Sequence, residues 1–268
     1  MHGRVIGPRW IRLPDGTRFD EAMAGTAWVH ADLGLKKYRE RDIPGAIAEL
    51  TLAIGLNPAA SDLYSHRGES YVLQGNLDAA LADFTRSLEL LPDCATYYQR
   101  GHVRRLLHDP RGAVADFRAA YSPERYSPAI FWLYLTEWGE GRQREATAEM
   151  VAAVERMMHD PEEQQLGKFL LGQINEAQLL AETGRGRHGN VHLARFYIAM
   201  RCQLAGNHTG AMERFRLFLQ MPAPALHHNG KVIEIGDGRW FERNEARRAL
   251  QSDRSPDPSQ QADPNASR

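Results

Sequence analysis

Gly184-Arg185-Gly186-Arg187-His188-Gly189 carries the G-x-G-x-x-G spacing with which a glycine-rich turn brings backbone N–H groups against a phosphate. That chemistry needs a strand leading into the turn and a βαβ unit around it, whereas Glu176 to Glu182 just before it are patterned as a helix. The Gly184–Gly189 segment therefore reads as a polar inter-helix loop, with an enzyme or small-molecule site holding an anion on Arg185, Arg187 and His188 as the alternative. Eleven histidines raise metal ligation. Yet His188 and His192, four apart, are separated by Gly189, and His227-His228 stands in a Pro- and Gly-rich stretch without neighbouring cysteine or carboxylate ligands. Two cysteines, Cys94 and Cys202, are too few for a disulfide framework or a four-ligand metal site, and both fall in helix-patterned segments where a thiol serves as a small core residue. There is no Gly-x-Ser-x-Gly elbow and no Cys/His or paired-carboxylate set that spacing alone assembles. The expectation is a chain that is not an enzyme, with no cofactor and no metal.

Composition narrows the remaining classes. The 268 residues are 43% hydrophobic and 25% charged, enough apolar material for one sizeable core or a stack of smaller ones. Lys and Arg number 33 against 34 Asp and Glu, so no basic field draws the chain onto nucleic acid or an anionic membrane. No run approaches the roughly 20 apolar residues of a transmembrane span, and the mean hydropathy is −0.51. Met1 to Asp20 mixes Arg4, Arg9, Arg12 and Arg18 with Pro and Gly and has no apolar core of signal-peptide length, which predicts a cytoplasmic chain.

Internal repetition carries the organisation. Between Ala27 and Met158 a helix-turn-helix pattern recurs about every 33 or 34 residues. The copy at 61–93 places Tyr64, Gly68, Tyr71, Ala80, Phe84, Ser87 and Pro92 at the tetratricopeptide spacings, with Arg67 departing at the Leu position. Before it, 27–60 shows Leu33, Gly34, Ala46, Leu50, Ala53 and Pro58; after it, 94–126 shows Tyr97, Gly101, Ala113, Phe117 and Ala120. A weaker copy at 127–158 keeps Leu133, Ala146, Met150 and Ala153, and a fifth at 192–221 keeps Ile198, Ala199, Ala211 and Phe215. Residues 159–191 read as helical but match no frame. The chain thus resembles the tetratricopeptide repeat family, and the expected fold is an all-α superhelix of helix pairs, an α-solenoid. Small residues such as Gly68 and Ala80 let paired helices approach closely enough for Tyr71 and Phe84 to interlock. Gly75-Asn76 and Asp109-Pro110 mark turns, with Asp109 as a helix cap and Pro110 in the first turn.

One pairing exceeds the consensus. Tyr64-x-x-Arg67-Gly68 with Asp83, and Tyr97-x-x-Arg100-Gly101 with Asp116, separate Arg from Asp by 16 residues each time. Either these are ion pairs between helices, since a buried charge needs a partner, or each guanidinium reaches water along its aliphatic stem.

A narrower resemblance runs through Phe131-Trp132-Leu133-Tyr134-Leu135-Thr136-Glu137, Phe169-Leu170-Leu171-Gly172-Gln173-Ile174-Asn175-Glu176 and Ala194-Arg195-Phe196-Tyr197-Ile198-Ala199. In order and approximate spacing these segments resemble the NlpI family of bacterial lipoproteins over residues 27 to 220. That resemblance implies a non-enzymatic adaptor that docks a processing protease, presents cell-wall hydrolases to it and forms a homodimer. The family's outer-membrane anchor and periplasmic address do not carry over, because this sequence shows neither signal peptide nor N-terminal lipidation cysteine; a missing export signal would restore them.

The expected plan is an N-terminal extension at 1–26, the repeat domain at 27–221, a hairpin and helix at 222–250 and a disordered tail at 251–268. Val232-Ile233-Glu234-Ile235 with an Asp237-Gly238 turn reads as the hairpin, followed by a helix from Glu242 to Leu250. Trp10-Ile11-Arg12-Leu13, Asp15-Gly16 and Phe19 echo it at the other end, and the two pieces are expected to pair into one small sheet.

Function is expected where the first helices of successive repeats line a groove for a protein or peptide partner. Frame positions nominate Trp28, Leu35, Tyr38, Ser65, Glu69, Tyr98, His102, Arg105, Phe131 and Trp138; aromatics and Arg are common interface anchors. The alternative is that several are covered and serve as core. The residues at the positions of a chaperone-tail carboxylate clamp read Ala31, Leu35, His66, Ala95 and Gln99, so that clamp is absent.

Overall fold

Turn residues cut the apolar helical pattern into antiparallel pairs. The computed structural model describes residues 10–12, 18–122, 128–157, 161–183, 191–221, 226–228, 231–233 and 239–252. The chain divides into two compact units, residues 1–157 and 158–268, and the repeat domain drawn at 27–221 runs across that division.

The first unit opens with β1 (Trp10–Arg12) and β2 (Arg18–Asp20). Four helix pairs follow: α1 (Glu21–Arg39) with α2 (Ile43–Leu56), α3 (Ser61–Gln74) with α4 (Leu77–Leu90), α5 (Cys94–Leu106) with α6 (Pro110–Ala120), and α7 (Pro128–Gly139) with α8 (Gln143–Arg156). Each helix packs on the next, and successive first helices also touch, α1 with α3 and α3 with α5. Side chains of Asp42, Asn76, Asp93 and Asp109 accept hydrogen bonds from the backbone N–H three residues on, capping α2, α4, α5 and α6. Gly75 ends α3 at φ 86°, a left-handed conformation that glycine adopts without steric cost. Helix α1 begins six residues earlier than the Ala27 expected from the repeat frame.

The second unit contains α9 (Pro161–Leu170), α10 (Glu176–Thr183), α11 (Val191–Leu204), α12 (His208–Gln220), β3 (Leu226–His228), β4 (Lys231–Ile233) and α13 (Arg239–Ser252). The frameless stretch is thus α9 and α10. Helix α13 packs on α12, and Arg243 donates to the Leu219 and Met221 carbonyls at 3.1 and 3.3 Å, satisfying groups at the C-terminal end of α12.

One contact sets the distance between paired helices. A Cβ on Gly68 would come within 2.8 Å of Phe84 Cε1, one on Gly101 within 2.8 Å of Phe117 Cε1, and one on Gly34 within 2.8 Å of Leu50 Cγ. Phe84, Phe117 and Leu50 are fully buried, each contributing roughly 1.5–3 kcal/mol of hydrophobic stabilisation. Where Tyr134 takes the glycine's place in the fourth pair, unbranched Met150 replaces the ring, and both stay buried.

The Arg–Asp pairs form between helices rather than reaching to water. Arg67 Nε and Nη2 donate to the two Asp83 carboxylate oxygens at 2.7 and 2.8 Å. Arg100 grips Asp116 the same way at 3.0 and 2.8 Å, and Arg104 Nη1 adds a contact of 2.9 Å. The same frame position holds Glu49 in the first pair and Glu149 in the fourth, where Leu33 and Leu133 occupy the Arg position. The longer carboxylates find other cations: His30 and Lys37 reach Glu49 at 2.8 and 2.9 Å, and Arg118 reaches back from α6 to Glu149 at 2.8 Å.

The terminal strands differ from expectation. β1 pairs antiparallel with β2 and β3 with β4, as two separate two-stranded sheets, because each strand finds its neighbour across a short connection before the chain ends can meet. The second hairpin joins 226–228 to 231–233, so its connection precedes Asp237-Gly238, which lies outside the described residues. Gln251 and Ser252, assigned to the tail, belong to α13, and residues 253–268 lie outside the described residues.

Two expectations follow. Gly101→Val forces a branched side chain against Phe117 and lowers stability by about 2 kcal/mol or more, read as a fall in the urea midpoint. Asp116→Ala leaves Arg100 without its carboxylate, Arg104 keeping Gly112 and Asp109, and costs about 3 kcal/mol, while the double replacement Arg67→Leu/Asp83→Leu stays within about 1 kcal/mol, since leucine already stands at the Arg position in two pairs.

Candidate functional site

The first helices of unit 1 present side chains that bond across the repeat spacing. Gln99 Nε2 on α5 donates to Glu69 Oε1 on α3, and Ser65 Oγ lies 3.4 Å from Thr96 Oγ1 and 3.5 Å from Gln99 Oε1. Thr96 in turn donates through Oγ1 to Asp93 at 3.1 Å. On α1, burial raises the Tyr38 hydroxyl pKa, and the adjacent Glu69 carboxylate raises it further, so the phenol stays protonated. The result is a polar strip from α1 through α3 to α5. Gln99, Thr96 and His66 belong to it but were not nominated; their repeat-frame positions beside Glu69 and Ser65 are the signal that could have found them.

Three nominated residues lie beneath this surface rather than on it. Tyr98, His102 and Phe131 are 3%, 3% and 0% exposed. The His102 ring packs edge-on against Tyr98, Phe117 and Trp132 at centroid distances of 4.5, 5.1 and 4.6 Å, an aromatic cluster where α5, α6 and α7 meet. They were nominated by frame position alone, and the aromatic W-L-Y-L segment of α7 draws those positions inward. The structure leaves the others accessible to different degrees. Trp28 is 62% exposed, beside exposed Val29 and Leu33 on α1. Leu35, Tyr38, Ser65, Glu69, Arg105 and Trp138 are half-buried. The Arg105 guanidinium carbon stands 4.7 Å from the Trp132 ring centroid, a cation–π contact, and Trp138 packs on Tyr134 at 5.3 Å.

Two histidines titrate in opposite directions. Burial drives His102 well below the ordinary histidine value, and Arg105 adds to the shift. Burial also pulls on His66, but the Glu69 carboxylate overcomes it with help from Asp62, and its pKa is raised.

Other chemistry finds less support. Gly184–Gly189, with Arg185, Arg187 and His188, lies outside the described residues, and α10 rather than a strand leads into it. Among the described residues no group of three or more His, Cys, Asp or Glu is placed to hold a metal ion. No described helix is long and apolar enough to cross a membrane.

Comparison with known proteins agrees with the helix pairing. No protein-family model matches the chain. A segment of 113 residues, 41% of this chain, is 28% identical to human Superkiller complex protein 3. Another of 126 residues, 47% of the chain, is 25% identical to human Tetratricopeptide repeat protein 13. These segments span only 7% and 14% of those proteins. Among solved structures, a tetratricopeptide repeat protein from Parabacteroides merdae superposes with a TM-score of 0.51 at 17% identity, covering 84% of this chain and 83% of that one. Pseudomonas aeruginosa PilF superposes at 0.50 with 13% identity, covering 75% of this chain and 96% of that one. The fold is the tetratricopeptide fold. Repeat spacing, glycine–ring crossings and these superpositions agree on it.

The two histidines set a pH dependence. For His102, whose folded form is held neutral, stability is present above the unfolded value near about 6.5 and is lost as pH falls. For His66, raised in the fold, stability is present below that value and is lost as pH rises through the folded one. Each contributes a slope of at most about 1.4 kcal/mol per pH unit. Urea midpoints measured between about pH 5 and about pH 8 should show His102→Phe flattening the acid side and His66→Gln flattening the neutral side.

Proposed function

We propose that the chain is a non-enzymatic scaffold that holds a partner polypeptide on the first-helix face of unit 1. The observation that carries this reading is the hydrogen-bonded strip Glu69–Gln99, with Ser65 on buried Thr96 beneath it, which links groups 30 and 31 residues apart across successive first helices, while Trp28 stands exposed on α1. A rigid strip of this kind offers donors and acceptors to the backbone of an extended segment with little ordering left to do on binding. Trp28, Arg105 and Trp138 supply aromatic and cationic anchors, with Leu35, Tyr38, Ser65 and Glu69 as the polar and apolar floor; Tyr98, His102 and Phe131 support that floor from beneath.

Within this reading, the resemblance to the NlpI lipoproteins favours an adaptor that presents a substrate to a protease or cell-wall hydrolase, in a periplasmic or outer-membrane setting, with self-association as a further property. Light scattering reads the self-association, and crosslinking in cells followed by identification of the captured polypeptide reads the partner. Titrating that partner against Trp28→Ala and Glu69→Gln should weaken binding by about 1 to 4 kcal/mol each, with circular dichroism unchanged. Undiminished binding by both variants would remove this face as the site.

A further inference from the structure

The second unit has a cleft that the first-helix face does not explain. It encloses about 550 Å³ between the turn after α9, the start of α10 and the C-terminal half of α11. Phe169, Ile198 and Ala205 give it an apolar wall, while Arg201 and the carboxamides of Gln173, Asn175 and Gln178 supply polar groups.

Arg201 is fixed in place. Its Nη1 donates to the Phe169 carbonyl at 2.7 Å, and its guanidinium carbon stands 4.6 Å from the Phe169 ring centroid. Gly172, at φ 78°, lets it in: a Cβ there would lie 3.1 Å from Arg201 Nη2. Yet Arg201 makes no ion pair among the described residues. The one carboxylate lining the cleft, Glu176, is already bound by Arg214 at 2.8 Å. The carboxamides are also biased toward donation. Asn175 Oδ1 accepts from the Gln178 N–H at 3.0 Å and Gln178 Oε1 accepts from the Asn175 N–H at 2.9 Å, which commits both oxygens to capping α10 and leaves their NH₂ groups as the remaining function. The Gln173 carboxamide makes no hydrogen bond among the described residues, its backbone N–H alone donating to the Lys168 carbonyl at 2.9 Å.

An immobilised guanidinium with no ion pair among the described residues, sharing its cleft with carboxamide NH₂ groups and an apolar wall, selects a carboxylate attached to apolar chain. We propose that this cleft binds an extended acidic segment of a partner polypeptide, with an Asp or Glu side chain on Arg201, backbone carbonyls on the carboxamides, and a neighbouring aliphatic side chain against Ile198 and Phe169. The rim residues Gln173, Asn175 and Gln178 are exposed, which suits a segment running through rather than a chain end enclosed. This site is independent of the first-helix face and stands or falls separately from it.

The test uses the full chain and three unlabelled peptides followed by isothermal titration calorimetry: acetyl-Leu-Glu-Leu-amide, acetyl-Leu-Gln-Leu-amide, and acetyl-Leu-Gln-Leu with a free C-terminal carboxylate. The Glu peptide should bind saturably and at least about tenfold more tightly than either Gln peptide. Gln173→Glu should weaken the Glu peptide about tenfold and Gln173→Lys should tighten it, and neither change disturbs a hydrogen bond of the fold. Arg201→Gln should abolish the preference for Glu, and Gly172→Ala should reduce it by displacing the guanidinium. Equal binding of the Glu and Gln amides, indifference to the sign of the charge at 173, or absence of saturable binding would overturn the proposal. Tightest binding by the free-carboxylate Gln peptide would overturn the side-chain assignment in favour of a chain terminus.

Discussion

The fold depends on how closely two helices of a pair approach, and that distance is set by an absent methyl. With no Cβ at Gly34, Gly68 or Gly101, the partner helix lays Leu50, Phe84 or Phe117 directly on the backbone, and a Cβ there would meet those side chains at 2.8 Å. Close approach brings polar groups on the two helices within bonding reach. That reach is what allows Arg67 and Arg100 to make two-pronged contacts with Asp83 and Asp116 from inside the stack. Packing of the apolar kind therefore comes first, and the ionic contacts are its consequence. A buried ion pair adds little net stability over well-packed apolar side chains, but it fixes register, because only one alignment of the two helices satisfies both charges.

The same logic links fold to surface. Once the pairs are stacked, successive first helices stand near enough for Gln99 to reach Glu69 and for Ser65 to approach Thr96. The strip is therefore a property of the stack and not of any single repeat. Beneath it, the cluster of Tyr98, His102, Phe117 and Trp132 fills the space where the third pair meets α7, and burial there holds the imidazole pKa well below its ordinary value.

Much of this was legible in residue spacing. Glycine, alanine and ring positions recurring about every 33 residues define the pairs, and turn residues such as Gly75 and Asp109 lie where the backbone needs a left-handed residue or a cap. The Arg–Asp spacing of 16 residues also announced its partners. Depth was less legible. Tyr98 and His102 occupy frame positions that face outward in a generic repeat, yet here both are buried and Trp132 on α7 packs on His102, a neighbour that no single repeat reveals. The short strands were found at the right ends but joined wrongly, since nothing in two similar motifs says whether each folds on itself. The acidic frame position was visible at 49, 83, 116 and 149, but its changing partners emerge only when side chains can be followed in space.

Those changing partners bear on how such a chain can be remodelled. The second pair carries both halves of its ion pair, Arg67 and Asp83, within one copy, so duplicating or deleting it moves a self-sufficient unit. The fourth pair borrows its cation: Arg118, which belongs to the third, holds both Glu137 and Glu149 at 2.8 Å. Excision between them would take the cation from Glu149 and leave Glu137 with only Arg142, at 4.0 Å, which ties the third and fourth copies into a single heritable module despite their separate helices.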